Sequence, residues 1–208
     1  MATRHSYTWL VVAIAFAISP FGCSTGQVSS PPEDDDGSSD SDADTDADTD
    51  ADSDCDLAIN ESFTAAGLPS GWVIDSYDGD GYQWQWTTAS NTTGGSGGHF
   101  GIAGNNPANH DDRLITPQYE RGGCTTVELG FNHHYSDSDV DDFGYVDISV
   151  DSGPWQTVTT YSSTGSGPQS YDVSEHIGTG NQFQVRFRYV GYNDNFWRVD
   201  DVQVTGAP

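Results

Sequence analysis

The sequence contains no lysine, and its only basic side chains are six arginines, apart from histidine. Against these stand 32 aspartate and glutamate residues, so the formal net charge of the 208-residue chain is -26 at pH 7. A surface with so strong a negative charge repels the phosphates of nucleic acids and the head groups of anionic lipids. The scarcity of basic residues therefore argues against nucleic acid as a partner.

Motifs that bring catalytic groups together are also absent from the sequence. It has no HExxH pair for zinc, no GxSxG turn and no glycine-rich phosphate loop with a lysine. The histidines do not cluster, because His99, His110 and His176 are isolated, while His133 and His134 point to opposite faces of one predicted strand. Carboxylates are so abundant that a glycosidase-like pair cannot be selected by counting. We therefore expect no enzyme activity, and a hydrolase remains an alternative.

No apolar run is long enough to cross a membrane as a helix. The run Trp9–Ile18 has 10 residues, whereas a hydrocarbon layer of about 30 Å needs about 20. Such a run after the basic Arg4 is typical of a signal peptide. The run leads to Gly22-Cys23, which resembles a bacterial lipoprotein signal, and this implies a signal peptide over residues 1–22 and lipid attachment at Cys23. An ordinary secretory peptide or an unprocessed anchor are the alternatives.

The residues that follow this signal indicate where the rest of the chain works. Ser24 resembles the residue of lipoproteins that are sorted to the outer membrane, which implies a bacterial outer-membrane lipid anchor and display at the cell surface. Residues 23–56 hold 13 carboxylates and almost no large apolar side chains. Such a segment cannot offset its chain entropy by burial, and its like charges extend it. We therefore expect a disordered acidic tether.

The remaining residues, 57–208, are enough for one hydrophobic core. They hold 19 acidic residues and five arginines, so this domain carries a net charge of about -14. Apolar and polar residues alternate with the period of a β-strand in four runs: Thr125–Tyr135, Tyr145–Val150, Gln182–Val190 and Trp197–Thr205. Glycine- and asparagine-rich turns separate the runs, and no helical period is found. The pattern predicts an all-β, antiparallel β-sandwich.

The three cysteines divide into a lipid site and a pair. With Cys23 as the lipid site, Cys55 and Cys124 remain, and a disulfide is the default for such a pair in an exported protein. The bond would close a loop of about 70 residues and contribute roughly 4 kcal/mol to stability in the chain-entropy treatment. We therefore predict a disulfide that attaches the start of the domain to a strand beginning near Thr125.

Five short motifs follow one another along the domain: NESF from Asn60, LPSGW from Leu68, DGDG from Asp78, DRLITP from Asp112 and FWRVDDV from Phe196. In this order they resemble the cleaved-adhesin, or choice-of-anchor J, domains of bacterial surface proteins. Those domains are jelly-roll sandwiches similar to MAM domains. The resemblance implies a jelly-roll binding domain over residues 57–208, with a glycan or a surface protein as its ligand. A structural envelope lipoprotein without a specific ligand is the alternative.

The resemblance also implies a structural calcium ion between the first and the last strand. Carried over by motif, its ligands are Glu61, Asp200 and Asp201, with Asp112 as a further candidate. Calcium takes six to eight oxygen ligands, which carboxylates and backbone carbonyls can share. The alternative interpretation is that no ion binds, so that Glu61 only stands at the end of a strand and the aspartate pair is solvated.

A second cation candidate comes from the residues themselves. Asp75, Asp78 and Asp80 stand in a glycine-rich segment that is similar to part of a calcium loop. No glutamate stands at the distance that an EF-hand requires, and turn formation explains the Asp-Gly repeats without a metal.

Aromatic side chains are the candidates for the ligand-binding surface. Tyr82, Trp84 and Trp86 alternate and would share one face of a strand, and Tyr192 lies beside polar loop residues. Sugar rings stack on exposed aromatic faces, while amide and carboxylate side chains bind their hydroxyl groups. Packing in the core is the alternative for the same side chains, because a sandwich of this size buries several of them.

Overall fold

The computed structural model describes residues 54–76, 82–103, 109–137, 141–192 and 196–208. These residues form twelve β-strands and one turn of helix, and the strands make two antiparallel sheets. The predicted all-β sandwich is therefore confirmed. The signal peptide, the lipidation site at Cys23 and nearly all of the acidic tether lie outside the described residues.

The strands are short at the start of the domain and long at its end. They are β1 (Ala58–Glu61), β2 (Val73–Ser76), β3 (Gln85–Thr87), β4 (His99–Ala103), β5 (Asn109–Ile115), β6 (Tyr119–Glu120), β7 (Thr126–Ser136), β8 (Phe143–Val150), β9 (Gln156–Tyr161), β10 (Gly165–Asp172), β11 (Gln182–Tyr192) and β12 (Phe196–Ala207). One helical turn, α1 (Ser174–Ile177), lies between β10 and β11. Within the described ranges, no helix has the length and hydropathy needed to cross a membrane.

The two sheets pair strands that are distant in sequence. Sheet A contains β10, β7, β12, β4 and β3 in that order, and β1 pairs with the second half of β12. Sheet B contains β2, β5, β11, β8 and β9 in that order, and β6 also pairs with β11. The pairing of β1 with β12 joins the two ends of the domain, so both ends contribute residues to one region of sheet A.

The alternation of apolar and polar residues explains how the core forms. In β7 and β11 every second side chain is buried between the sheets: Val127, Leu129, Phe131, His133, Tyr135, Phe183, Val185, Phe187 and Tyr189. Trp197 of β12 lies in the same layer, with its ring centroid 5.9 Å from that of Phe187. Large aromatic side chains dominate the energy of burial in such a core. The alternating runs predicted over Thr125–Tyr135 and Gln182–Val190 are therefore confirmed as strands with one buried face.

The predicted disulfide between Cys55 and Cys124 is also confirmed. It attaches Cys55, near the end of the predicted tether, to Cys124, which lies two residues before the start of β7. Gly206 packs against the bond, because a Cβ at this position would lie 2.3 Å from Cys124 Sγ. This close approach leaves room only for glycine.

Candidate functional site

A groove of about 460 Å³ crosses the outer face of sheet A, and we call it the cross-strand groove. One row of it follows residues that face each other in the strand register: Asn60 of β1, Gln203 of β12, Gly130 of β7 and Ser170 of β10. Gly130 points outward because the alternation of β7 buries both of its neighbours. The lack of a side chain at Gly130 leaves this point of the row open.

Hydrogen-bonded polar side chains line the groove on both sides of this row. Ser170 Oγ donates to Glu128 Oε1 at 2.7 Å, and Asn132 Nδ2 donates to Asp201 Oδ2 at 2.7 Å. The other lining residues are Ser62, Phe131, Pro168 and Gln169. Among the described residues that line the groove, none is lysine, arginine or histidine. The groove is therefore polar and acidic, and its two carboxylates are held in place by neighbours.

Beside the groove, β12 leaves its regular pairing at Asp200 and Asp201. The register with β7 shifts between Asp200 and Gln203. Asp201 has a φ of 48°, a backbone angle that residues other than glycine seldom adopt. The irregularity brings the two carboxylates together. A Cβ built on Gly95 would lie 2.3 Å from Asp200 Oδ2 and 2.5 Å from Asp201 Oδ2, so both oxygens border the same small space.

The β3–β4 loop (88–98) covers the buried side of this aspartate pair. Asn91 Nδ2 donates to Asp200 Oδ2 at 2.8 Å, and Thr93 Oγ1 donates to the same oxygen at 3.4 Å. Burial raises the pKa of Asp200, and the charge of Asp201 adds to the rise, although hydrogen bonds from Asn91, Thr93 and the Asp201 amide oppose it. The pair is thus a place where negative charge is concentrated in a poorly hydrated position.

A basic side chain holds the other part of the loop. Arg198 Nη1 donates to Ser90 O and to Thr92 Oγ1, both at 2.7 Å. Thr92 Oγ1 is also 2.5 Å from His134 Nδ1. The guanidinium carbon of Arg198 lies 4.0 Å from the ring centroid of Phe196. Arg198 therefore anchors the β3–β4 loop and does not contribute a positive charge to the lining of the groove.

The metal ligands carried over from the motifs are distributed between the two sheets. Glu61 faces Val202 in the β1–β12 register, one residue from Asp201, and its Oε1 accepts the N–H of Phe63 at 2.8 Å. Asp112 lies in sheet B, where its Oδ2 is 3.1 Å from His110 Nδ1. In the part of the chain that the structure describes, no three His, Cys, Asp or Glu side chains are grouped so that they could hold a metal ion.

The second cation candidate is only partly described. Asp75 Oδ2 accepts a hydrogen bond from Arg113 Nη1 at 2.6 Å, so this carboxylate already has a cationic partner. Asp78 and Asp80 lie outside the described residues.

The prediction that Trp84 binds a ligand is wrong, because its side chain is 0% exposed. Its ring centroid lies 5.5 Å from that of Trp197, and its Nε1 donates to Asp112 O at 3.2 Å. Alternation indicates that residues share a face, but it does not indicate whether that face meets the core or the solvent. For Trp84 the core interpretation was the right one.

The other predicted aromatic residues differ in their exposure. Trp86 is half-buried, and its Nε1 donates to Phe63 O at 2.8 Å. Tyr82 and Tyr192 are 44% and 53% exposed. None of these three side chains lines the cross-strand groove. The structure therefore does not bring the predicted aromatic residues into the cavity that it forms on sheet A.

Sequence reasoning missed the groove as a whole. Its row joins Asn60, Gly130, Ser170 and Gln203, which come from four separate parts of the chain. The sequence carries one signal for it, namely the glycine between two apolar residues in Leu129-Gly130-Phe131. A glycine inside a strand often marks a place where something approaches the backbone closely.

Nearly the whole domain matches a family of known proteins in sequence and solved structures in fold. The model of the family described as Cleaved Adhesin Domain matches residues 56–204. The K1 cleaved adhesin domain of Lys-gingipain from Porphyromonas gingivalis is 20% identical, with a TM-score of 0.56, and the match covers 73% of this chain and 99% of that one. No curated protein sequence matches the chain.

Two further solved domains of Lys-gingipain have a similar fold. The K2 domain is 20% identical, with a TM-score of 0.52, and the match covers 72% of this chain and 99% of that one. The K3 domain from P. gingivalis is 21% identical, with a TM-score of 0.51 and coverage of 71% and 98%. At these identities the likeness demonstrates a common fold.

Proposed function

The chain belongs to the Cleaved Adhesin Domain family, and we propose that it is an adhesion module displayed at the surface of a bacterial cell. The observation that carries the proposal is the cross-strand groove, which at about 460 Å³ has the size of sites that hold small ligands. Its ligand is a glycan or a surface protein. The proposed activity is binding, with no reaction assigned to the domain.

Adhesion by whole cells tests this function. Cells that express the full chain should adhere more strongly to glycan-coated or protein-coated surfaces than cells that lack it. A chain without residues 57–208 is the control, because it keeps the anchor and the tether and loses only the folded domain. Equal adhesion of all three strains would contradict the proposal. If envelope permeability changed instead, the result would support the alternative of a structural envelope lipoprotein.

We include a lipid on Cys23 in the proposed function as the attachment to the outer membrane. Residues 24–56 would then act as an acidic spacer with a reach of at most roughly 110–120 Å. Labelling of growing cells with an alkyne-tagged fatty acid should modify the wild-type chain and should not modify Cys23→Ser. Protease treatment of intact cells should release the domain if it faces outward. Equal labelling of both chains would contradict the anchor.

We also propose that Asp200 and Asp201, together with backbone carbonyls, hold a structural calcium ion, which Glu61 would join only by moving, because it is not grouped with the pair in the structure. The aspartate pair fits such an ion, because two carboxylate oxygens border one small space beside Gly95. Burial raises the pKa of Asp200 when no cation is present. A divalent cation would offset the repulsion of the two carboxylates and would tie the β3–β4 loop to β12. Asp112 is left out because it lies in sheet B beside His110.

Thermal unfolding with calcium and with a chelator tests this ion. A ligand that binds only the folded state at 100 times its dissociation constant stabilises that state by about 2.7 kcal/mol. Calcium should therefore raise the melting temperature of the wild-type chain by several degrees. Asp201→Asn should lose this increase, whereas Asp151→Asn, on an exposed turn of sheet B, should retain it. A wild-type melting temperature that does not respond to calcium would contradict the site.

A further inference from the structure

We infer that the cross-strand groove binds a neutral, polyhydroxylated chain, which in chemical terms is a neutral oligosaccharide. The inference rests on the proposed adhesion function and names the class of ligand for it. Three properties of the groove carry the argument: the charge of its lining, the type of its polar groups, and its direction relative to the strands.

The charge of the lining selects against anionic ligands. Glu128 and Asp201 both line the groove, and none of its described lining residues is basic. The nearby Arg198 is engaged with Ser90 and Thr92. A sulfate, phosphate or uronate group in the groove would meet the carboxylate of Glu128 without a counter-charge, even with calcium on Asp200 and Asp201, and the net charge of the domain would add to the repulsion. The ligand is therefore neutral.

The polar groups of the lining match hydroxyl groups. Asn60 and Gln203 are exposed amides that can donate and accept hydrogen bonds, whereas the carboxylates of Glu128 and Asp201 accept them. A hydroxyl group also donates and accepts, so neighbouring hydroxyls on a ring can satisfy an amide and a carboxylate together. Pro168 adds an exposed apolar ring against which C–H groups can pack.

The groove runs across the strands, and this direction favours a ligand that binds through its side groups and not through main-chain hydrogen bonds to a strand. The row from Asn60 to Ser170 crosses β1, β12, β7 and β10, and four strands at a spacing of about 4.8 Å extend over roughly 14 Å. An extended peptide that joins a sheet needs the free edge of a strand. Along this row β12 and β7 are each paired on both sides, so their main-chain groups are already bonded.

Gly130 offers a variant that closes the groove without disturbing the fold. A Cβ at this position would lie 3.7 Å from Gln169 O and 3.8 Å from Gln203 Cβ, which are ordinary contact distances. Valine favours β-strands, so Gly130→Val should fold and should fill the open point of the row. Thr126→Val is the matched control, because it places the same side chain on the same face of β7 at a residue that does not line the groove.

Isothermal titration calorimetry on the purified full chain, in a detergent without a sugar head group, measures the binding. The probes are cellotetraose and mannotetraose as neutral chains, and tetragalacturonate as an anionic chain of the same length. We expect at least one neutral probe to bind, and Gly130→Val to weaken its binding at least about tenfold. Thr126→Val should leave the affinity unchanged, and tetragalacturonate should give no binding heat.

Three results would overturn the inference: no binding of either neutral probe at millimolar concentration, binding of tetragalacturonate alone, or equal affinity of wild type and Gly130→Val. Cell adhesion separates this failure from that of the proposed function. If the full chain promotes adhesion and Gly130→Val does so equally well, the groove is not the ligand site and the adhesion function stands. If the full chain promotes no adhesion, the proposed function itself fails.

Discussion

Asp111 shows how one carboxylate organises the outer face of sheet B. Its Oδ1 lies 2.6 Å from Arg188 Nε, and its Oδ2 accepts hydrogen bonds from Arg188 Nη2 at 2.9 Å and Arg113 Nη2 at 3.1 Å. Burial alone would raise the pKa of Asp111, but the hydrogen bond and charge of Arg188, followed by those of Arg113, outweigh it and lower the pKa. The charged carboxylate therefore favours the folded state.

The lowered pKa of Asp111 fixes the sign of a pH effect. Its contribution to stability is present above the pKa of the unfolded chain, near 4, and is lost as the pH falls through the folded pKa. Asp111→Asn should reduce the free energy of unfolding by about 1–3 kcal/mol at pH 7, and the difference from wild type should shrink towards about pH 2. Urea unfolding measures both values.

Asp141→Asn is the control for this experiment, because Asp141 is exposed and should show no loss. If Asp111→Asn were as stable as wild type at pH 7, the ion-pair network would not stabilise the domain. A loss that stayed the same at all pH values would contradict the role of the charged carboxylate.

The β3–β4 loop depends on the hydroxyl group of Thr92. This group accepts a hydrogen bond from Arg198, so its own proton is directed to Nδ1 of neutral His134. Burial, followed by the charge of Arg198, lowers the pKa of His134, and the same causes lower that of His99 on the same face of sheet A. Protonation of either histidine would place a second positive charge near Arg198. The carboxylate of Asp200, beside the same loop, already accepts hydrogen bonds from Asn91 and Thr93.

These lowered pKa values predict that acid loosens the loop. A histidine whose folded pKa is lowered supports the folded state above its unfolded pKa, near 6.5, and this support is lost as the pH falls below that value. Hydrogen exchange of residues 88–98, corrected for its intrinsic pH dependence, should show less protection at pH 5 than at pH 7. His134→Gln should reduce the difference, and Thr92→Val should loosen the loop at both pH values. Equal pH dependence in wild type and His134→Gln would contradict the mechanism.

The elements differ in how well the sequence predicts them. Strands β7 and β11 have eleven residues each and alternate regularly, so both their existence and their buried faces can be predicted. β3 has only three residues, and a strand of that length is too short for the pattern to identify its inward face. The alternation of Tyr82, Trp84 and Trp86 therefore leaves both a ligand surface and the core open for Trp84, and only its packing on Trp197 places it in the core.

The candidate site was less predictable than the strands, and the reason is physical. The aspartate pair can be found from one motif because its members are adjacent in sequence. The row of the cross-strand groove depends on the register of Asn60 with Gln203 and of Gly130 with Ser170, which only the folded sheet defines. A shift of one residue in either pairing would turn different side chains outward.

At the scale of the whole molecule, we expect the Cys55–Cys124 disulfide to contribute strongly to the free energy of unfolding. The bond joins residues that are 69 positions apart, and closure of such a loop restricts the unfolded chain. Replacement of both cysteines by alanine should therefore lower the free energy of unfolding by about 4 kcal/mol. Urea unfolding of this variant and of the reduced wild-type chain measures the loss. A loss below about 1 kcal/mol in both would contradict the prediction.

Binding within the cross-strand groove is tested most directly by titration of the ¹⁵N-labelled full chain with a neutral tetrasaccharide, followed by NMR. Backbone amide signals of Asn60, Gly130, Ser170 and Gln203 should shift together and saturate at one ligand concentration. Shifts confined to the neighbourhood of Tyr82 and Tyr192, or no shifts at saturating ligand, would contradict binding in the groove.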